Sequence, residues 1–272
     1  MEPRNVFPLL CVLTCALTAP INKMDRHAEV IFEICSYGPD VVEALSPDLV
    51  RYPEGNPDAR DIRVGGLSTY ILNSPRTNHY IDAFSGEGGW HADMSSRGFV
   101  GQRMDIRDGD LFDITSNAGI ATTIKMVLSI IENGMLGGGP PCDMFTFAAR
   151  KHNKRSNANP EGNLDHFKTV KANKLAAVWC SAIKIAACRG AFCWTEQPTN
   201  SMLFAMKCFE ELRSWLLLKL GMAWYATSFL MGCYGWKSPK RTTLQGTHPH
   251  IKLIHRKKLP TGVATERLTK SL

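Results

Sequence analysis

From Tyr80 onward predicted strands and helices alternate, without an internal sequence repeat. A short apolar run meets a turn rich in glycine or proline, the turn carries a chemically useful side chain, and a stretch with helical spacing follows. Residues 80–84 run into Ser85-Gly86-Glu87-Gly88-Gly89 and a helix predicted over 90–97, stopped by Gly98. A second strand over 99–105 ends on Asp105. The period of Ile120, Ile124, Val127, Leu128 and Ile131 predicts a helix over 120–133 closing at Asn133-Gly134. Residues 135–139 form a glycine-heavy strand that runs into Pro140-Pro141-Cys142. An alanine-rich helix over 163–187, a strand over 191–195, a helix over 201–219 and a strand over 223–232 complete the series. Alternation of this kind forces an α/β architecture with a mostly parallel sheet and flanking helices.

In such sheets ligands sit beyond the carboxyl ends of the strands. Ser85, Asp105, Cys142 and Glu196 all fall at such ends, so one site is expected to gather them. Gly86, Gly88 and Gly89 let the backbone approach a bound molecule and feed a helix amino terminus, which favours a carboxylate or phosphate. Asp105 stands 23 residues beyond Asp82 and is placed to accept hydrogen bonds from a ribose diol. Two prolines stiffen the turn that delivers the Cys142 thiol, which suits a nucleophile. Glu196, ahead of Gln197-Pro198, is expected to be partly desolvated and able to donate a proton.

Before Tyr80 the pattern is weaker. Residues 1–24 form an apolar leader, and 25–78 an extension with a helix over 28–45 interrupted near Gly38-Pro39. The connector over 46–78 is expected to be irregular, with one strand around 67–72. The leader resembles a secretory signal in its apolar run, but Glu2 offsets Arg4, Pro8 interrupts it and Leu-Thr-Ala-Pro is a poor cleavage site. Nucleus or cytoplasm is therefore expected ahead of secretory or organellar targeting. Nine cysteines without a CxxC pair or a zinc-like spacing with histidine argue against a disulfide framework and give no metal site. No run approaches the roughly 18–20 apolar residues of a spanning helix, so stable membrane insertion is not expected.

The net charge of +7 is uneven. Arg150, Lys151, Lys154 and Arg155 cluster after the Cys142 turn. Lys237, Lys240 and Arg241 open a stretch with nine Lys or Arg against Glu266 alone. Such clusters suit a polyanion, with nucleic acid the expected partner and DNA ahead of RNA.

Phe84-Ser85-Gly86-Glu87-Gly88-Gly89, Pro140-Pro141-Cys142 and Glu196-Gln197-Pro198 resemble the cofactor loop, the Pro-Cys nucleophile motif and the Glu-Asn-Val or Glu-Asn-Pro motif of DNA cytosine-5 methyltransferases. The stretch 142–242 is also similar to a group of largely uncharacterised protist proteins, through Arg155-Ser156, Asn173, Glu196-Gln197-Pro198, Gly235 and Lys240-Arg241-Thr242. The resemblance covers about 80–244. It implies a Rossmann-like methyltransferase domain over 79–246 followed by a basic tail over 247–272, and S-adenosylmethionine as cofactor. Asp82, Phe84, Ser85, Gly86, Gly88, Gly89, Asp105 and Pro140 would hold that cofactor. Cys142 would attack C6 of a cytosine while Glu196 stabilises a proton at N3, and the loop over 143–155 would close over nucleic acid. The family's Gln-x-Arg-x-Arg element has no clear match here, Cys142 and Glu196 stand 54 positions apart, and little chain follows Leu244 to recognise a target. A separate targeting partner is therefore expected. The alternative is a catalytically degenerate relative that binds nucleic acid or a protein.

Overall fold

The computed structural model describes residues 23–45, 59–234 and 240–254. Six strands form one sheet in the order β2-β1-β3-β4-β6-β5. These are β1 (Asn78–Ala83), β2 (Gly101–Met104), β3 (Ile130–Gly138), β4 (Phe192–Pro198), β5 (Tyr225–Leu230) and β6 (Arg241–Gly246). The β1–β2, β1–β3 and β3–β4 pairs are parallel, while β6 runs antiparallel to both β4 and β5. This mixed α/β architecture, with a mostly parallel sheet between helices, is compatible with a Rossmann-like fold.

Alternate side chains of the inner strands enter different cores, which is why these runs are apolar on both faces. Ile81, Leu136 and Cys193 join a large cluster on one face; Tyr80, Met135 and Trp194 join a smaller one on the other. The large cluster lies under α5 (Asn117–Leu128), α7 (Phe167–Cys188) and α8 (Lys207–Leu220), with α1 (Lys23–Cys35), α2 (Pro39–Leu45) and α3 (Ala59–Asn73) outside them. Val30, Ile34, Val41, Leu67 and Ile71 reach that same core, so these three helices share it with the sheet. On the opposite face α4 (Gly89–Ser96) sets Trp90 edge-on against Trp194, with ring centroids 4.9 Å apart.

Several expectations are corrected. The strand expected around 67–72 is part of α3; Leu67 and Ile71, four apart, are buried on one side of a helix. Helix α5 ends at Leu128, five residues before Asn133-Gly134. That dipeptide is instead a kink inside β3, where Asn133 takes φ 62 and the register against β1 jumps between Asn78 and Tyr80. A left-handed residue before glycine serves a strand bulge as readily as a helix stop. Strand β6 was not anticipated as a strand, and the first residues of the expected tail belong to the core. Thr247 bonds Cys193 through backbone and hydroxyl, and Ile251 and Ile254 are buried. Most of the leader, the later tail and Lys237 lie outside the described residues. No helix among the described residues is long and apolar enough to cross a membrane.

Candidate functional site

The strand order reverses direction at β1, whose neighbours β2 and β3 lie on either side of it. A cavity of about 360 Å³ opens at this switch point, lined by Phe84, Asp105, Ile106, Asp113, Pro141 and Leu175 among others. That volume falls in the range of small-molecule sites. Phe84 leaves β1 with φ 54, which turns its ring toward the cavity and edge-on to Trp179 at 5.3 Å.

Beside it the glycine loop is folded around Asp105. The Asp105 carboxylate accepts from the Gly86 amide at 2.9 Å and from the Arg107 amide at 3.0 Å. Burial pushes this carboxyl up, but those two amides and the Arg107 guanidinium outweigh it and hold it below the usual range. Gly86 and Gly88 take φ 55 and 70, and a Cβ on Gly86 would lie 3.3 Å from the Arg107 guanidinium. Ser85 Oγ is buried and has no hydrogen-bond partner among the described residues. An orphaned buried hydroxyl in a loop beside a cavity is what a ligand's polar group would satisfy.

The structure distributes the expected cofactor residues differently from the sequence reading. Phe84 and Asp105 line the cavity; Ser85, Gly86, Gly88 and Gly89 form the loop beside it. Asp82 does not line the cavity. It is 4% exposed and accepts from the His91 amide at the start of α4, so it ties strand to helix. Burial pushes its carboxyl up to about 7. Pro140 is likewise turned away, its carbonyl accepting from the Gln197 side-chain amide, while Gly139 and Pro141 reach the cavity.

Sequence reasoning missed the second wall. Ile106 and Phe112 come from two short 3-10 turns between β2 and α5, Asp113 and Ile114 from the residues just after the second, and Lys168, Lys171 and Leu175 from one side of α7. Asp113 pairs with Lys171 at 2.9 Å and accepts from the Thr115 hydroxyl. The available signal was Asp113 standing just before a helix cap, since Ser116 accepts from Gly119.

Cys142 sits half-exposed between Pro141 and Asp143, both of which line the cavity. Burial raises its thiol pKa, Lys240 opposes the rise and Glu196 adds to it. Glu196 lies within β4 rather than at its end. Its carboxylate accepts from Thr242 Oγ1 at 2.9 Å and pairs with Lys240 at 3.3 Å, both reached across the antiparallel β4–β6 ladder. Gly139 makes room for it, because a Cβ there would stand 3.2 Å from Glu196 Oε2. Thiol, carboxylate and ammonium thus converge beside the cavity.

The loop after Cys142 is pinned from within. Arg155, 2% exposed, donates to the Met144 carbonyl at 2.8 Å, to the Pro160 carbonyl and to Asn173 Oδ1 at 2.7 Å, and lies over the Phe145 ring. Asn153 donates to the same Met144 carbonyl at 2.7 Å. The expected phosphate-binding role of Arg155 is corrected here: its guanidinium is turned into the protein and its donors are engaged. Arg150, Lys151, Lys154, Lys240 and Arg241 are exposed.

The chain matches no protein-family model, and no curated protein matches it.

Proposed function

We propose that the chain is an S-adenosylmethionine-dependent methyltransferase acting on C5 of cytosine in nucleic acid. The observation that carries the reading is the convergence of the Cys142 thiol and the Glu196 carboxylate beside a cavity with a nucleoside's complement of walls. That cavity is mostly apolar, with Phe84, Ile106, Phe112 and Leu175 suited to a purine plane, and the carboxylates of Asp105, Asp113 and Asp143 are acceptors. Asp105 would take the ribose hydroxyls and Asp113 an exocyclic amine. Asp105, Asp113 and Asp143 outnumber Lys168 and Lys171 on these walls, so a cationic sulfonium nucleoside suits them better than a dinucleotide does. The Ser85 hydroxyl, orphaned at the adjoining loop, is available to the cofactor's amino-acid end.

When bound, the cofactor supplies an electrophilic methyl group. The rest is the chain's own work. Cys142 Sγ, as thiolate, forms a bond to C6 and drives the C5–C6 electron pair onto C5. Glu196 holds a proton at N3 and so takes up the charge that would collect on the ring. Thr242 and Lys240 fix that carboxylate, and Lys240 also favours the thiolate. After C5 is methylated, transfer of its proton to a water molecule restores the C5–C6 double bond and expels the Cys142 thiolate.

Calorimetric titration with S-adenosylmethionine tests the cofactor half without a guess at the acceptor. Micromolar binding by the wild type, lost in Gly86→Val, is the expected result; absence of binding to folded wild-type protein would refute it. The raised thiol pKa favours the non-catalytic alternative. A 5-fluorocytosine oligonucleotide decides between them: a covalent Cys142 adduct supports catalysis, whereas tight binding without an adduct supports the degenerate reading.

A further inference from the structure

Between β3 and β4 the chain climbs to the carboxyl edge of the sheet, makes the rim from Cys142 to His166, and descends through α7. Both strands are parallel, so the α7 amino terminus must lie on the same edge as Cys142. Along this rim the side chains alternate in their fate. Asn153 and Arg155 point inward and bind the Met144 carbonyl, while Lys151, His152 and Lys154 are exposed. Lys154 takes φ 50, which turns the chain so that its side chain stands out as Arg155 goes in. The His152 ring lies nearly parallel to that of His166, at 26° with centroids 6.2 Å apart, and His166 adjoins the Phe167 ring at 5.9 Å.

Phe167 is 72% exposed, with Leu164 beside it in sequence at 64%. A lone exposed phenylalanine is ordinary. This one continues a row of two imidazole rings, next to Lys168 and at the end of a helix whose Lys168 and Lys171 line the cavity. Asp143 and Asp165 are the exposed acids nearby in sequence, against Lys151, Lys154 and Lys168.

We propose that Lys151, His152, Lys154, His166, Phe167 and Lys168 form a fixed platform for single-stranded nucleic acid. Unpaired bases stack on the rings while phosphates run along the lysines. The proposal rests on the methyl-transfer reading and names its acceptor as an unpaired strand. Charge complementarity selects a polyanion. The exposed His152 and Phe167 rings select its single-stranded form, because a duplex keeps its base faces stacked on one another. The buried Arg155 explains why the platform is fixed: the loop expected to close over substrate is held by hydrogen bonds to its own base.

Fluorescence anisotropy on the full chain, without cofactor, tests this. The probes are a labelled mixed-sequence strand of about 20 nucleotides and its duplex, at ~0.1 M salt. The single strand should bind roughly tenfold tighter than the duplex, and Phe167→Ala should lose roughly tenfold for the strand alone. Lys151→Gln with Lys154→Gln should weaken both probes and flatten the salt dependence. Phe167 is largely in solvent, so its truncation spares the fold, and a thermal melt verifies that. A duplex bound as tightly as the strand, or a Phe167→Ala loss equal for both probes, overturns the platform. Binding of neither probe by protein that still binds S-adenosylmethionine overturns it while leaving the cofactor site standing. Strand binding without cofactor binding does the reverse.

Discussion

The two halves of the sheet hold their chemistry differently. On the parallel side, β1, β2 and β3 each end at the cavity, and each contributes through the residues just after its last pair: Phe84, Asp105, and Gly139 with Pro141. On the other side Glu196 is inside β4, in register with Leu244 of β6, and is held by Thr242 of that antiparallel neighbour and by Lys240 just before it. A strand end sets a side chain on a loop that can be shaped around a ligand. A position inside a ladder fixes a carboxylate by its cross-strand neighbours and gives it little freedom. The first arrangement suits binding, the second suits holding one charge in one place.

That division is broken most sharply by separating turnover from cofactor affinity. Cys142→Ala and Glu196→Gln should each lower methyl transfer by roughly a thousandfold or more, while leaving S-adenosylmethionine affinity within about threefold. Radiolabel transfer and calorimetry read the two quantities. Equal loss of both in either variant would merge the halves into one binding site.

A smaller effect is expected where the two halves meet. Arg155→Lys keeps the charge but leaves the Pro160 carbonyl or Asn173 Oδ1 without a donor, since one ammonium cannot span the planar fork. Urea unfolding should show a loss of about 2–4 kcal/mol. A loss within about 0.5 kcal/mol would mean that the buried guanidinium does not hold the Cys142 loop.

The parallel half was legible because strand-turn-helix units write their ligand residues next to glycine and proline. Phe84 and Cys142 carry that mark, while Asp105 was legible as the acid that ends the second strand. Glu196 was legible through its neighbours Gln197-Pro198, although its true place inside β4 was not. Ile106 sits in a short 3-10 turn and Asp113 just after another, where no sequence period marks a residue; only the helix cap that follows Asp113 set it apart from other loop residues. Arg155 was misread because a run of cations looks uniformly exposed, and only the fold shows which guanidinium has carbonyls waiting for it. Asn133-Gly134 misled for a related reason: one local geometry serves two tertiary purposes.

Asp82 and Asp105 sharpen the comparison within the parallel half, since they titrate oppositely. A carboxyl whose folded pKa is raised to about 7 binds more protons in the native state than in the unfolded one between about pH 4 and 7. Stability from Asp82 is therefore lost as pH rises through that window. Asp105, held low, contributes stability above the ordinary carboxylate range and loses it only in acid. In Asp82→Asn the side-chain oxygen can still accept from His91, so unfolding free energy should fall less steeply than in the wild type between about pH 4 and 7. Identical slopes would show that Asp82 is ionised throughout that range.

The smallest effect belongs to Lys240, which pairs with Glu196 and acts on the Cys142 thiol. Its ammonium opposes the rise that burial imposes on the Cys142 thiol, and it also offsets Glu196, whose charge raises that thiol further. Lys240→Met removes both influences, and both removals push the thiol pKa up. Alkylation by iodoacetamide, followed on the Cys142 peptide by mass spectrometry, proceeds through the thiolate. The rate near neutral pH should fall about threefold or more, and the midpoint of its pH profile should move to higher pH. Above both midpoints the rates of variant and wild type should converge, because the thiol is then ionised in each. A rate lowered equally at every pH would indicate blocked access instead. An unchanged midpoint would remove Lys240 from the thiol's surroundings and leave it as a partner of Glu196 alone.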